Sequence, residues 1–304
     1  MSGLDVVGFG ALNVDKLFKV NRIAHAEQES FIQATSVSCG GSAANTIVGL
    51  ARLGCKVGFI GKTGLDGEGE LLIEDFLTEG VDTLGVVRAK DGETGTVMGF
   101  VDQKGQRALY INSGVNDTIT LREIHEEYVA QAKFLHLTSF VGEQSFQTQK
   151  KLLETLKKCV KISFDPGAIY AQRGYDQLAS IIERAYVVLP NIHELEQITG
   201  QKDPEKGAAF LQGKGVEVVA VKLGSEGCYV TNGYEHHYIE AVKVPVVDTT
   251  GAGDAFNAGF LYGLLHKKSL LECGKLGNFV ASCCVKKMGA RTGLPYKREL
   301  ELLR

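Results

Sequence analysis

Short apolar runs alternate along the chain with stretches in which apolar residues recur every three or four positions. Val6–Gly10, Val57–Ile60, Phe134–Leu137, Lys161–Phe164, Tyr186–Leu189 and Val216–Val221 have the length and β-branched content of buried strands. Between them, Ala43–Leu53, Gly67–Leu77, Phe146–Lys158, Gln172–Ile182, Ile192–Ile198 and Glu205–Leu211 carry the helical period. Gly54 and Gly80 stop the first two helices, and Asp203-Pro204 starts the last. Such alternation predicts parallel strands joined by crossover helices. Two regions break the rhythm. Val14–Val20 with Phe31–Val37, and Thr94–Val101 with Arg107–Asn112, read as antiparallel strands, the second pair turning through Gln103-Lys104-Gly105.

One more apolar run, Pro245-Val246-Val247, reads as a strand that feeds Asp248-Thr249-Thr250-Gly251-Ala252-Gly253-Asp254 and then a helix. Gly251 and Gly253 let the backbone turn tightly and approach a ligand, and the first helical turn leaves amide N–H groups without carbonyl partners. With the helix dipole these donors make a phosphate site. A carboxylate inside an anion site is a poor choice for stability unless it handles a proton there, so Asp254 reads as the base of a phosphoryl transfer. The plain alternative is an ordinary first-turn acid, and either way a helix N-terminus should lower its pKa.

Composition narrows the class. The 304 residues, 44% of them hydrophobic, suffice for one large α/β domain or two small ones. A net charge of −3 offers no global basic field for nucleic acid or an acidic membrane, which points to small-molecule partners. No run approaches a membrane span, and Met1-Ser2-Gly3-Leu4-Asp5 lacks the features of a signal peptide, so a cytoplasmic protein is expected. Seven cysteines lie scattered without Cys-x-x-Cys spacing, and a disulfide between adjacent Cys283 and Cys284 would be strained. Free, buried thiols are expected, and no zinc.

Two apparent motifs fail on inspection. Gly61-Lys62-Thr63 looks like the end of a Walker A loop, but the first glycine it needs falls on Lys56. Gly8-Phe9-Gly10 begins a dinucleotide fingerprint whose third glycine position is Asn13.

The stretch from Asp248 to Phe260 resembles the C-terminal signature of the ribokinase-like (PfkB) carbohydrate-kinase family, and Gly40-Gly41-Ser42-Ala43-Ala44-Asn45 resembles its N-terminal di-glycine signature. The two motifs stand in the family's order and spacing, and the resemblance extends over nearly the whole chain. It implies a ribokinase-like α/β fold, with a central, mainly parallel sheet flanked by helices. A single domain over residues 1–304 would carry a small β-sheet lid built from about 12–38 and 83–113. Similarity to the family also implies a magnesium-dependent phosphotransferase passing the γ-phosphate of ATP to a primary hydroxyl, and a homodimer through the lid sheet. The acceptor would be ribose, fructose or a keto-deoxy sugar acid, with a nucleoside as the alternative and a catalytically idle sugar-binding regulator as a further one.

The resemblance assigns roles residue by residue. Asp254 would be the base, with the amides of Gly251, Ala252 and Gly253 facing the transferring phosphoryl group. Asp15, with Asn13 beside it, matches the family's sugar contact, since an ionised carboxylate accepts two hydroxyl hydrogens at once. Gly40, Gly41 and Asn45 would complete substrate recognition; the plain alternative is helix capping by Ser42 with a buried Asn45. Met98, Phe100 and Tyr110 are expected mostly to pack the lid.

Asn191-Ile192-His193-Glu194 resembles the family's Asn-x-x-Glu motif, with Glu194 holding magnesium through water and Asn191 at the nucleotide. The same residues also fit a capping box, and the two roles are compatible. Lys222, Gly224 and Gly227 match the family's phosphate loop, although Leu223 stands where many relatives have threonine, leaving the backbone or Lys222 to contact phosphate. Asn278 and Val280–Gly293 resemble the adenine edge. Asp248, Thr250, Cys284 and Gly289 would surround a monovalent cation, K+.

Overall fold

The computed structural model describes residues 3–104 and 106–300; the expected turn residue Gly105 lies outside them. Among the described residues thirteen strands form two sheets. In chain order they are β1 (Val6–Phe9), β2 (Asn13–Val20), β3 (Ile32–Gly40), β4 (Val57–Gly64), β5 (Asp82–Ala89), β6 (Gly95–Val101), β7 (Arg107–Asn112), β8 (Phe134–Leu137), β9 (Lys161–Phe164), β10 (Ala185–Val188), β11 (Val218–Lys222), β12 (Cys228–Thr231) and β13 (His236–Ile239). The large sheet runs β13-β12-β11-β10-β9-β8-β1-β4-β5. It is parallel from β5 to β11, with β12 and β13 added antiparallel.

Apolar side chains on both faces explain why the central strands lack alternation. Val6, Phe59, Val187 and Ala220 pack on one side with helices Ser42–Arg52, Ala252–Leu265 and Leu270–Cys284. Val7, Leu135, Ile162 and Val219 pack on the other with helices Glu143–Thr155, Gly174–Ile182, Ile192–Thr199 and Pro204–Gln212. From β1 the chain builds outward through β4 and β5, then returns to β8 and builds the other way. The strand order therefore reverses between β1 and β8, and in an open parallel sheet the ligand crevice lies at the carboxyl ends of the strands at such a point.

Helices Ala252–Leu265 and Leu270–Cys284 pack closely enough that a β-carbon on Gly259 would overlap the Leu276 carbonyl oxygen. Neither backbone can yield easily. Gly259→Ala is expected to lower unfolding stability by about 1–3 kcal/mol, read from the denaturant midpoint at unchanged slope.

The small sheet runs β3-β2-β6-β7. β2 is antiparallel to β3 and β6 to β7, as the period-two segments predict, and the two hairpins join through parallel pairing of β2 with β6. One expected boundary needs correction. Residues 83–89, placed in the lid segment 83–113, belong instead to β5 at the edge of the large sheet, paired in parallel with β4. The second lid segment thus begins at Gly95.

Two other expectations also change. The helix read over Gln172–Ile182 begins two residues later, at Gly174, whose φ of 69° separates it from a short helix Gly167–Ala171 that the pattern did not show. Pro245–Val247 forms no strand. Val246 and Val247 are exposed, and the amides of Val247 and Asp248 donate instead to the Val285 carbonyl, at 2.8 and 3.2 Å, so the end of a helix replaces a strand partner. Among the described residues no helix is long and apolar enough to cross a membrane. All seven cysteines are free; five are buried, Cys39 is half-buried and Cys159 exposed.

Candidate active site

Helix Ala252–Leu265 begins at Gly251, whose φ of 75° is left-handed. A side chain would be strained there, and a β-carbon would come within 2.5 Å of Ala290 Cβ, so both conformation and space require glycine. The Ala252 N–H donates to Thr249 O and the Ala255 N–H to Gly251 O. Among the described residues the amides of Gly253 and Asp254 have no such partner, as a helix start leaves them, and they remain available to an anion.

Asp254 is held in place from the neighbouring helix Ser42–Arg52. Ser42 Oγ donates to Asp254 Oδ1 at 2.6 Å, Asn45 Nδ2 donates to Asp254 Oδ2 at 2.8 Å, and Thr46 Oγ1 donates to the Asp254 carbonyl at 3.2 Å. Burial raises its carboxyl to about 6, although these side-chain hydrogen bonds pull the other way. The lowered pKa expected from the helix N-terminus is therefore incorrect: desolvation, with Asp165 nearby, outweighs the dipole and the two donors.

Below this turn sits Lys222, at the end of β11. Its ammonium donates to Asp165 Oδ2 at 2.7 Å, and Asn257 Nδ2, one turn along the helix from Asp254, donates to the same oxygen at 2.5 Å. Lys222 Nζ would stand 3.4 Å from a β-carbon on Gly253, so the glycine brings the helix start directly over the ammonium. Against the cost of burial, Asp165, Glu194 and Asp254 hold Lys222 above its usual value. Lys222 in turn holds the buried Asp165 carboxyl down, against desolvation. Three carboxylates around one ammonium leave this floor negative.

Glu194 shows the effect of that surplus. Its carboxyl is raised to about 7, first by burial and then by Asp165. The capping box is present: Asn191 Oδ1 accepts from the amides of His193 and Glu194, each at 2.9 Å, and Glu194 Oε2 accepts from the Asn191 amide at 2.8 Å. Asn191 and Lys222 are bridged in parallel across the ends of β10 and β11. Gly224 opens the turn beyond β11, and Gly227, with φ of 102°, closes it against the Ile239–Ala241 backbone. Asn278 lies on helix Leu270–Cys284. Its Nδ2 donates to the carbonyls of Ile239 and Glu240, both at 3.0 Å, and so holds the segment after β13.

The lid hinges at the crevice. Asn13 pairs with Gly40 and with Gly95, and Asn116 Nδ2 donates to Asn13 Oδ1 at 2.9 Å. A β-carbon on Gly40 would overlap the Asp15 carboxylate, and one on Gly41, where φ is 103°, would overlap the Ala11 carbonyl. Asp15 accepts no hydrogen bond from the protein among the described residues. Burial raises its carboxyl to about 6, opposed by Arg291. Register sorts the lid faces: Asp15 lies opposite Val97, which lies opposite Ile111, and Leu17 shares that face with Gly99 and Leu109. Met98, Phe100 and Tyr110 point the other way, where Phe100 stacks on Phe18 with centroids 5.1 Å apart.

Asp248, Thr250, Cys284 and Gly289 do meet. Asp248 Oδ1 accepts from Thr250 N and Oγ1 at 3.0 and 2.7 Å, Oδ2 accepts from the Gly289 amide at 2.8 Å, and Cys284 Sγ lies 3.5 Å from the Thr250 carbonyl. By contrast Gly61-Lys62-Thr63 is part of β4, with Lys62 Nζ 2.6 Å from Glu123 Oε1, so this segment forms no Walker loop.

Four residues of this site escaped the sequence reading: Ser42 as a partner of Asp254, Asp165, Asn257 and Arg291. Asp165 directly follows the apolar run Lys161–Phe164, and an acid at a strand's carboxyl end was the available signal. Asn257 is one helical turn from Asp254. Arg291 carried no local signal, because its partners lie far away in sequence.

The sequence matches the family described as "pfkB family carbohydrate kinase" over residues 4–297. It is 47% identical over 251 residues to an uncharacterized sugar kinase of Archaeoglobus fulgidus, covering 82% of this chain and 98% of that one. It is 30% identical over 302 residues to the ribokinase of Haemophilus influenzae, covering 97% and 96%. The structure superposes with a TM-score of 0.85 on an Arabidopsis thaliana ribokinase complexed with ribose and ATP, at 26% identity, covering 99% of each chain. With these matches across nearly its whole length, the chain belongs to the pfkB family of carbohydrate kinases and has their ribokinase-like α/β fold.

Proposed function

We propose that this sugar kinase transfers the γ-phosphate of ATP to a primary hydroxyl of a free sugar or sugar acid, with Asp254 as the base. The observation that carries the proposal is the Asp254 carboxylate, half-buried at a helix start with free amides beside it, together with an Asp15 carboxylate that accepts no hydrogen bond among the described residues. Acceptor hydroxyls sit on Asp15 and the Gly40–Gly41 backbone. The acceptor oxygen meets Asp254, and the Gly253 and Asp254 amides, with Lys222 beneath, face the phosphoryl group. In a loose transition state the proton leaves late, so the position of Asp254 matters more than its basicity.

The negative floor formed by Asp165, Glu194 and Asp254 around Lys222 fits a divalent cation that arrives with its phosphates. No cluster of three metal-ligating side chains lies close enough for direct coordination among the described residues, which suits magnesium held by Glu194 through its water shell. When bound, the ion neutralises phosphate charge. The Asp248–Thr250–Cys284–Gly289 cluster supports K+ beside this loop. Glu194→Gln is expected to shift the magnesium concentration for half-maximal rate several-fold upward with the helix intact. A capping role alone predicts instead a stability loss of about 1 kcal/mol and wild-type magnesium dependence; a metal titration and a melting curve separate them.

A free sugar is favoured over a nucleoside because Leu17, Val97, Leu109 and Ile111 line the lid face shared with Asp15, while its aromatic rings lie on the opposite face. The exposed Met98 and Tyr110, on the lid face turned away from Asp15, support a lid-to-lid homodimer. ADP release with ATP and magnesium across sugars, sugar acids and nucleosides tests the assignment. Turnover only with nucleosides would overturn it, as would sugar binding without turnover on any acceptor.

A further inference from the structure

Asn45 has one donor end and one acceptor end, and Asp254 can use only the donor. An asparagine amide turned over would place its oxygen against the carboxylate. Something must fix its orientation, and the structure supplies Arg291, whose Nε donates to Asn45 Oδ1 at 2.8 Å. A guanidinium only donates, so the oxygen of Asn45 must face it and Nδ2 must face Asp254.

Arg291 is itself held on every side. Its Nη1 pairs with Asp75 of helix Gly67–Thr78, its Nη2 donates to the Gly40 carbonyl at 3.3 Å, and its guanidinium lies 5.8 Å from the centre of the Phe76 ring. Arg291 and Asn45 are 8% and 6% exposed, so water has little access to substitute for either contact. The result is a chain of charge-assisted bonds, Asp75–Arg291–Asn45–Asp254, crossing from one helix to another through the core. A branch reaches the last residue of β3, beside Asp15.

We propose that Arg291 is a positioning residue for Asp254, acting through the side-chain amide of Asn45. This rests on Asp254 as the base. The same guanidinium ties that base to the substrate end of the lid at Gly40.

The test is a double-mutant cycle on kcat with a saturating acceptor. Arg291→Gln is expected to lower kcat about 10- to 100-fold while the KM for ATP stays within about threefold. In an Asn45→Ala background the same change should alter kcat by less than about threefold, because the group through which Arg291 acts is gone. Arg291→Lys keeps a cation opposite Asp75 but lacks the rigid fork that also reaches Asn45, so it should behave like Arg291→Gln in both backgrounds. This variant carries the test if the glutamine protein does not fold. Equal losses in the two backgrounds, or Arg291→Lys within twofold of wild-type kcat, would overturn the proposal. Asp254→Asn run alongside separates the two levels: retained turnover there removes the base itself, whereas collapse there with additive Arg291 effects removes only the positioning role.

Discussion

Asp254→Asn lowers kcat by about 10² to 10⁴ on the true acceptor. Asparagine keeps the size of the side chain and can still accept from Asn45, while its own amide can donate to Ser42, so the helix start survives. What disappears is a carboxylate able to take the acceptor proton. Because burial raises this carboxyl to about 6, wild-type kcat/KM should fall as pH drops through about 6, and the variant should keep only the part of that limb that Asp15 contributes.

Stability should move in the opposite sense from activity. A carboxyl whose folded pKa lies above its unfolded value of 3.8 binds more protons when folded, so stability declines as pH rises from about 4 to about 6. Asp254→Asn removes that penalty, and its Tm at pH 8 should equal or exceed wild type. If Asp254 were merely a first-turn acid, the variant would be less stable and would turn over normally. More than about a tenth of wild-type kcat retained would exclude Asp254 as the base.

That the carboxyl is raised at all depends on burial, and burial belongs to the packed fold. Position 254 alone suggested a lowered pKa, because a helix start is a local feature. Burial in the packed fold, with Asp165 at the end of β9, reverses the sign, even though Ser42 and Asn45, about 210 residues earlier, pull the carboxyl down. The same division runs through the fold. β8 and β9 are legible residue for residue, since a short apolar run between polar flanks has few other uses in an α/β chain. Both lid hairpins are legible because their period is two. Pro245–Val247 misled for the opposite reason: valines suit a strand, but β12 and β13 already extend that edge, and Val285 captures the amides that would have paired.

Site residues divide similarly. Glycine-rich signatures announce themselves because backbone geometry fixes both residue type and spacing, as at Gly251. Arg291 has no such marker. Its three partners, Gly40, Asn45 and Asp75, converge only when the chain returns after helix Leu270–Cys284. Asn278 carries the converse lesson. The resemblance placed it at the adenine edge; its amide hydrogens go to Ile239 and Glu240, so its side chain also holds the backbone that follows β13.

Asp15→Ala reduces kcat/KM for the acceptor by roughly 2–4 kcal/mol of transition-state stabilisation, or about 30- to 1000-fold, with the KM for ATP little changed. The carboxylate is half-buried at the lid hinge, crowded by Gly40, and accepts no hydrogen bond from the protein among the described residues. A desolvated acceptor in that state destabilises the free enzyme unless a ligand supplies donors, and two sugar hydroxyls would do so. Its carboxyl, raised to about 6 by burial, is ionised at pH 7.5 and therefore able to accept both. The linkage sign is the same as for Asp254: ionisation costs stability between about pH 4 and 6, so removing the group should leave Tm at pH 7.5 unchanged or higher. A structural aspartate would give the reverse, a lower Tm with normal acceptor kinetics. Melting curves and acceptor titrations on Asp15→Ala distinguish the two, and a kcat/KM within threefold of wild type would place the sugar elsewhere in the crevice.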